Sequence, residues 1–337
     1  MRQCPEHSSA LRVPAASRRT WRAVASRMAR SRLVRRVALG GVVLLVVAVA
    51  AWLGVGAVAA DRLTVPARYV DPAVTPGAVG ATFADVVLTT DDGLDLAAWY
   101  LPVPGSDAAV VIVHGYNASR TAQFGGHLPE LAASLQANGY HVVAMDLRGH
   151  GASAGARFSF GQAERRDVRA AVDFLVAQGV PEGQVGVLGA SMGAAAAIGA
   201  AAEDARIGAV WADSAYAEIL PVLAGRWSAT SGLPGTFLTA ALWVHRARFG
   251  VDLTASRPIL ELPRVAPRPI QLVHATADDW VPYPHALALR TAVPSAGLWT
   301  VPDVGHAKAY EADPDLYVQQ LVEFFDAGLR TQVAGVR

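Results

Sequence analysis

Short unbroken apolar runs alternate along most of this chain with segments in which apolar residues recur every three or four positions. A continuous apolar run is typical of a strand buried on both faces, and the longer period predicts an amphipathic helix. The strand-like runs are AAVVIVHG, YHVVAMDLRG, QVGVLGAS, IGAVWADS, RPIQLVHATAD and GLWTVPDVGH. The helical segments lie at 128–137, 162–178, 194–202, 284–292 and 316–329. This alternation predicts an α/β fold, with a mostly parallel central sheet and helices on both faces.

A different pattern precedes the first buried run. FADVVLTT and LDLAAWYLPV flank the turn sequence Asp91-Asp92-Gly93, which predicts a β-hairpin. Residues 61–82 are rich in proline, glycine, alanine and valine and have no helical period, so we interpret them as a linker. The folded domain is therefore expected at 83–330.

The N-terminal region combines a basic tail with a long apolar run. Residues 1–36 contain ten arginines and one acidic residue, whereas the 24 residues 37–60 carry no charge. As a helix this run would measure about 36 Å, enough to cross a hydrocarbon layer of about 30 Å. The positive-inside rule places the tail in the cytoplasm and everything after Asp61 outside. We predict a single-pass anchor in the cell membrane; a cleaved signal peptide and a buried core helix are the alternatives.

Charge and cysteine content narrow the classes of partner and site. Subtracting the +9 of the tail from the overall +1 leaves −8 for residues 37–337, so no electrostatic footprint for nucleic acid is expected. The only cysteine is Cys4, which excludes an intrachain disulfide and a cysteine-based metal site. With 337 residues, of which 53% are hydrophobic, the chain is long enough for one large domain.

One long stretch, at about 215–263, separates two of the predicted strands. A structureless loop of about 50 residues is improbable within a compact domain, so we predict a small helical cap. Its aromatic residues Trp227, Phe237 and Trp243 are the candidates for contacting a substrate. The alternative is an additional packing layer far from any site.

The stretch Gly189-Ala190-Ser191-Met192-Gly193 lies where a buried strand changes into an alanine-rich helix. This strand–turn–helix context predicts a nucleophile elbow, because small flanking residues allow the chain to turn sharply. The turn would display the Ser191 hydroxyl at the carboxyl edge of the sheet, where ligands of open α/β sheets bind.

A serine hydroxyl is a weak nucleophile and requires a base. His306 follows the last strand and is the predicted base, while Asp278 follows the preceding strand and is the predicted acid. Asp279 is typical of an exposed turn residue, and Asp213 is a weaker rival at the end of another strand. Nucleophile, acid and base then follow the chain order Ser191, Asp278, His306 that such a fold requires.

The developing oxyanion requires two fixed donors. The backbone N–H of Met192 is the first, because this residue follows the nucleophile. The sequence HGYNASR after the first buried strand offers Tyr116 as the second backbone donor, with Asn117 next. Arg148 and His150 in MDLRGHGAS are expected to be structural.

The sequences VIVHGYNASR, MDLRGHGAS, GVLGASMGAAAA, LVHATADDWVP and VPDVGHAKAY resemble, in order and spacing, the motif set of the α/β-hydrolase superfamily. The chain looks most like membrane-anchored bacterial serine hydrolases of the serine aminopeptidase-like group, over roughly residues 83–328. The resemblance implies an α/β-hydrolase fold, a Ser-His-Asp triad, no metal and no organic cofactor. Ala275 departs from the family pattern, which usually has glycine there.

These features favour a carboxylesterase-like serine hydrolase that acts through an acyl-enzyme. An apolar cap close to a membrane favours lipophilic esters. Peptidase or amidase activity and acyl transfer on the same triad are alternatives within the enzyme class. A catalytically silent, membrane-tethered binding protein is the alternative from another class.

Overall fold

The computed structural model describes residues 15–330. The chain divides between Gly54 and Val55 into two compact units. Cys4 and the first part of the basic tail, residues 1–14, lie outside the described residues.

Helix α1 extends from Ala15 to Thr64, beyond both ends of the uncharged run. Arginine and alanine are strong helix formers, so the helix can continue into the charged residues on either side of the uncharged run. The uncharged run therefore marks the apolar part of the helix and not its ends. Residues Thr20–Thr64 are long and apolar enough to cross a membrane, with a mean hydropathy of 2.7 in the most apolar window. The segment interpreted as a linker from residue 61 is thus helical for its first four residues, and it later contains a 3₁₀ turn at Pro76–Val79.

Eight strands form one sheet in the order β1-β2-β4-β3-β5-β6-β7-β8. They are β1 Ala84–Thr89, β2 Asp95–Leu101, β3 Ala109–Val113, β4 His141–Met145, β5 Val185–Ala190, β6 Ile207–Asp213, β7 Ile270–Ala275 and β8 Gly297–Val301. The predicted hairpin is the antiparallel pair β1–β2, and β2 is also antiparallel to β4. Every other neighbouring pair in this sheet is parallel, which confirms the predicted fold class.

Helices cover both faces of the sheet. Those outside the cap and after α1 are α2 Leu128–Ala137, α3 Glu164–Ala177, α4 Met192–Glu203, α8 Pro284–Ala292, α9 Ala309–Ala312 and α10 Pro314–Phe325. Helices α3 and α4 contribute to one hydrophobic cluster, and α2 and α10 contribute to the other. Within β3, Val111 and Val113 belong to the first cluster, whereas Val110 and Ile112 belong to the second. Burial on both faces explains why this strand has no polar position.

A helical segment connects β6 to β7 within the range predicted for a cap. It consists of α5 Ile219–Ser231, α6 Thr236–Phe249 and α7 Pro258–Glu261, with 3₁₀ turns at Leu253–Ala255 and Leu262–Arg264. Helices α5 and α6 end at Gly232 and Gly250, both with a φ of 69°. A left-handed glycine at the C-terminus is a common helix stop, so these two boundaries follow from the sequence.

Candidate active site

Ser191 occupies the sharp turn between β5 and α4. Its φ and ψ are 54° and −115°, a conformation that is costly for a residue with a side chain. A Cβ added at Gly189 would lie 2.3 Å from the carbonyl oxygen of Gly193, and one added at Gly193 would lie 2.4 Å from that of Val113. Both flanking positions therefore require glycine, because α4 begins directly against the end of β3.

The structure brings Ser191, His306 and Asp278 together from three separate loops. The Ser191 Oγ lies 2.8 Å from His306 Nε2, and His306 Nδ1 lies 2.7 Å from Asp278 Oδ2. A carboxylate can only accept, so Nδ1–H donates to Asp278 and leaves Nε2 free to accept the hydroxyl proton of Ser191. This is the arrangement in which an imidazole activates a serine hydroxyl.

The acid loop holds the Asp278 carboxylate in one orientation. Its Oδ1 accepts from the backbone N–H groups of Trp280 at 2.9 Å and Val281 at 2.8 Å, and the side chain is fully buried. Asp279 is 74% exposed at its side chain, as expected for a turn residue. Ala275, which replaces the usual glycine, is buried at the end of β7, and its carbonyl accepts from Asp278 N at 3.4 Å. The alanine is thus compatible with the acid loop.

Asp213, the rival acid, supports the backbone beside His306. Its two carboxylate oxygens accept from the Ser214 hydroxyl at 2.9 Å and the Tyr317 hydroxyl at 3.0 Å. The Ser214 oxygen in turn accepts from the N–H of Ala307, a residue with a φ of 52°. Burial raises the pKa of Asp213 to about 6. Asp213 thus fastens the loop that carries His306, while Asp278 contacts the imidazole itself.

The loop after β3 lies beside Ser191. A Cβ added at Gly115 would lie 3.3 Å from Ser191 Cβ, so the next residue, Tyr116, begins the wall facing the hydroxyl. Met192 is the first residue of α4, where backbone N–H groups have no partner within the helix. Within residues 15–330, no protein acceptor is assigned to the N–H of Tyr116 or of Met192. Asn117 has a φ of 52°, and its Oδ1 accepts from the N–H of Ala67 at 3.1 Å.

His114 holds the start of this loop through two hydrogen bonds. Its Nδ1–H donates to the Gly115 carbonyl at 2.8 Å, and its Nε2 accepts from the N–H of Leu147 at 2.9 Å. Complete burial lowers the pKa of His114 to about 4, which keeps the ring neutral. Arg148 forms ion pairs with Asp92 at 2.8 Å and with Asp167 at 2.7 Å. Arg148 therefore has a structural environment, as does His114.

A cavity of about 510 Å³ contains both Ser191 and His306 in its lining. One face of α5 forms much of its wall through Ile219, Val222, Leu223, Arg226, Trp227 and Thr230. These positions follow the three-and-four spacing of one helical face, which is visible in the sequence but does not show that this face lines a cavity. The size of the cavity and the apolar character of its wall suit an organic ligand.

Of the three cap aromatics, Trp227 alone lines this cavity. Phe237 packs instead into a cluster with Trp227 and Leu238, and Trp243 is 62% exposed. Of the three candidates, Phe237 and Trp243 therefore lie outside the cavity lining, to which the cap helices contribute residues of α5 and not of α6. In the described part of the chain, no group of three or more His, Cys, Asp and Glu side chains is arranged to hold a metal ion.

Sequence reasoning missed several lining residues outside the cap, among them Phe160, Trp280 and Leu63. Trp280 directly follows the acid loop, so its position beside Asp278 was a usable signal. Leu63 was hidden by the expectation that the apolar helix ends at residue 60.

Comparison with known proteins agrees with this architecture. The family model described as serine aminopeptidase, S33, matches residues 104–230. An uncharacterised protein of Mycobacterium tuberculosis is 36% identical over 122 residues, which cover 35% of this chain and 41% of that protein. The uncharacterised protein YfhR of Escherichia coli is 27% identical over 255 residues, which cover 73% of this chain and 82% of that protein.

Among solved structures, an esterase of Pyrococcus furiosus superposes with a TM-score of 0.65 and 25% sequence identity. The match covers 78% of this chain and 99% of that one. The family match at residues 104–230 includes the elbow at Ser191. We conclude that the chain has the α/β-hydrolase fold and that, over residues 104–230, it is similar to the serine aminopeptidase family.

Proposed function

We propose that this chain is a membrane-anchored serine hydrolase that cleaves carboxylic esters. The observation that carries the proposal is the hydrogen-bonded series from Ser191 through His306 to Asp278, at 2.8 Å and 2.7 Å, inside an apolar cavity. The Pyrococcus furiosus esterase that shares the fold supports the same reaction class.

Acylation begins when the Ser191 oxygen bonds to the carbonyl carbon of the ester and its proton passes to His306 Nε2. The carbonyl π-electrons move onto oxygen and form an oxyanion, while Asp278 stabilises the imidazolium. When the tetrahedral intermediate collapses, the alkoxide leaves and takes the proton from Nε2. The products of this half-reaction are a free alcohol and an acyl group on Ser191.

The backbone N–H groups of Met192 and Tyr116 are the proposed donors to the oxyanion. Both belong to rigid elements that meet at the nucleophile, and donors fixed in this way need no reorganisation during the reaction. In the second half-reaction, water is the nucleophile and the Ser191 oxygen is the leaving group. His306 takes a proton from the water, and the water oxygen bonds to the acyl carbon. Release of the carboxylic acid returns the proton to Ser191.

Hydrolysis of peptide or amide bonds is the second candidate, and the serine aminopeptidase description of the matching family favours it. The triad chemistry is the same, but a nitrogen leaving group must be protonated as it departs. Acyl transfer would differ only in the acceptor that replaces water. Paired ester and amide substrates with the same acyl group separate the first two activities, and a shift of product to an added alcohol identifies the third.

Intact mass of the full chain in detergent, after treatment with a fluorophosphonate, tests the proposed triad. We expect one adduct on the wild type and none on Ser191→Ala. His306→Ala should remain folded and react at least about 100-fold more slowly, because general-base assistance contributes a factor of about 10² to 10⁴. An unlabelled but folded wild type would overturn the proposal and favour the binding-protein alternative.

Membrane insertion with the basic end in the cytoplasm is part of the proposal, supported by the length and apolar character of Thr20–Thr64. Because Cys4 is the only cysteine, a membrane-impermeant maleimide tests this orientation directly. In intact cells we expect Cys4 to be protected and Val87→Cys, made in a Cys4→Ser background, to react. Val87 suits this purpose because it is 64% exposed on strand β1. The reverse labelling pattern would contradict the orientation.

A further inference from the structure

The last turns of α1, residues 55–64, pack against the cap as part of the catalytic unit. Ala59 and Ala60 are buried in a cluster with Trp227, Leu238 and Ala241. The two alanines pack against the aromatic side chain of Trp227 and the aliphatic side chain of Leu238. Such close contact is typical of a packed interface and not of a flexible connection.

Helix α1 approaches helix α6 closely at Gly56. A Cβ added to Gly56 would lie 2.6 Å from Ala240 Cβ and 2.9 Å from the carbonyl carbon of that residue. The two helices therefore meet backbone to backbone, and this position of α1 has no room for a side chain. Gly54, two residues earlier, has nothing within 4 Å of an added Cβ.

Polar contacts fasten the end of the helix to the hydrolase core. Arg157 donates to Asp61 at 2.7 Å and to the Thr64 hydroxyl at 3.1 Å. The backbone N–H of Phe158 also donates to the Thr64 carbonyl at 3.0 Å. Because the carbonyls that end a helix lack helical partners, these contacts fix the terminus of α1 in one place.

Leu63 connects this packed terminus to the reaction site. Its side chain lines the cavity that also contains Ser191 and His306. Leu63 lies nine residues after Gly54, the last residue before the packed segment 55–64, which corresponds to about 13.5 Å along a helix. The part of α1 that would lie in the bilayer therefore ends within about 14 Å of this cavity residue, measured along the helix.

We infer that residues 55–64 hold Leu63 in place as a fixed part of the active-site wall and that the cavity takes the acyl chains of amphipathic esters directly from the membrane surface. This inference rests on the proposed ester hydrolysis and on membrane insertion of α1. A wall held beside the interface allows a lipid-like ester to present its carbonyl to Ser191 while its chain remains in apolar surroundings. The wall residue Leu63 then sets which chain lengths fit.

Chain-length preference of the full chain in phosphatidylcholine vesicles tests the wall. The measured quantity is the ratio of rates for p-nitrophenyl palmitate and p-nitrophenyl butyrate. Leu63→Trp should lower this ratio about tenfold, since small volume changes in an apolar pocket discriminate by about that factor or more. Leu63→Ala should move it in the opposite direction. Val65→Trp, at a neighbouring position that is 48% exposed, should leave it unchanged.

A glycine pair tests the packing independently of Leu63. Gly56→Leu should separate α1 from α6 and change the palmitate-to-butyrate ratio, whereas Gly54→Leu should not. If Gly56→Leu and Leu63→Trp both leave the ratio at the wild-type value, residues 55–64 are only a tether and the inference is overturned. Loss of fluorophosphonate labelling in the wild type would instead refute the proposed hydrolase function.

Delivery from the membrane is tested by the location of the substrate. The palmitate ester is placed either in the vesicles that contain the protein or in separate vesicles that do not. We expect hydrolysis to be at least about tenfold faster in the shared vesicles, because confinement to one surface raises the effective concentration. Equal rates would mean that the ester arrives through water and would overturn this part of the inference.

Discussion

The nucleophile elbow and the cap line the same cavity, but they differ in how readily they accept a larger residue in place of glycine. At the elbow, Gly189 and Gly193 have backbone oxygens 2.3 Å and 2.4 Å from the position of an added Cβ. In the cap, an added Cβ at Gly225 or Gly235 would meet nothing within 4 Å. The turn that holds Ser191 thus depends on main-chain positions that accept one residue type. The cap side of the cavity depends on side chains that can be exchanged.

The largest contrast is expected between Gly193→Ala and Gly225→Ala. The first must push α4 away from β3 and displace Ser191, and a shift of about 1 Å at a reacting atom can cost about 100-fold in rate. We therefore expect fluorophosphonate labelling to slow by at least that factor. Gly225→Ala adds helix propensity worth up to about 1 kcal/mol and should preserve labelling. Equal labelling rates in the two variants would contradict the contrast.

The buried imidazole of His114 makes the elbow region sensitive to acid. Its pKa falls from 6.5 to about 4 on folding, so the unfolded chain binds more protons between these values. The free energy of unfolding should therefore decrease as the pH falls from 6.5 to 4, by about 3 kcal/mol for this group. Urea unfolding at pH 7 and pH 4.5 measures the effect.

His114→Asn isolates this contribution, because an amide can still donate to the Gly115 carbonyl. The variant should lose less stability than the wild type over the same pH interval. The raised pKa of Asp213, about 6, acts with the opposite sign, since its folded form holds the proton there. A His114→Asn variant with the full acid sensitivity of the wild type would show that this histidine is not the cause.

A smaller effect is expected at Asp213. Asp213→Asn leaves one of the Tyr317 and Ser214 hydroxyls without its acceptor, at a cost of about 1–3 kcal/mol in stability. Because Ser214 holds the backbone at Ala307, we also expect acylation to slow by about tenfold, which corresponds to about 1.4 kcal/mol in activation free energy. The labelling rate of the folded fraction measures this. Asp279→Asn is the exposed control, and an identical effect there would remove the positioning role.

The smallest effects belong to the cap. Trp227→Phe removes the hydrogen bond from the indole N–H to the Pro234 carbonyl and places a smaller side chain in the cavity wall. The ratio of the hydrolysis rates for palmitate and butyrate esters should therefore change by a few-fold. Trp243→Phe, at an exposed position, should change stability by less than about 0.5 kcal/mol and leave the ratio unchanged. A larger effect at Trp243 than at Trp227 would contradict the placement of the cavity wall.

The elements around the elbow could be predicted because local patterns determine them. The run AVVIV is strand β3, and the predicted helix at 128–137 has those bounds in the structure. The residues expected to act as nucleophile, acid and base meet within hydrogen-bonding distance, since each follows a strand at the same edge of a parallel sheet. Their catalytic roles stay predictions until the labelling experiments are done.

The cap and the end of α1 could not be predicted in the same way, because non-local packing decides them. Neither Phe237 nor Trp243 carries a sequence signal that separates it from Trp227, and the separation appears only once α5 and α6 are placed. The extension of α1 to Thr64 depends on contacts with Arg157, about 90 positions later in the chain. The role of Leu63 followed only from that packing.

Trapping the acyl-enzyme tests the central claim most directly. The full chain would be mixed with p-nitrophenyl butyrate, quenched in acid during turnover, and analysed by intact mass and peptide mapping. We predict one butyryl group on Ser191 in the wild type and none on Ser191→Ala. Turnover without a butyryl group on Ser191, or a butyryl group on another residue that persists in Ser191→Ala, would contradict the proposed mechanism.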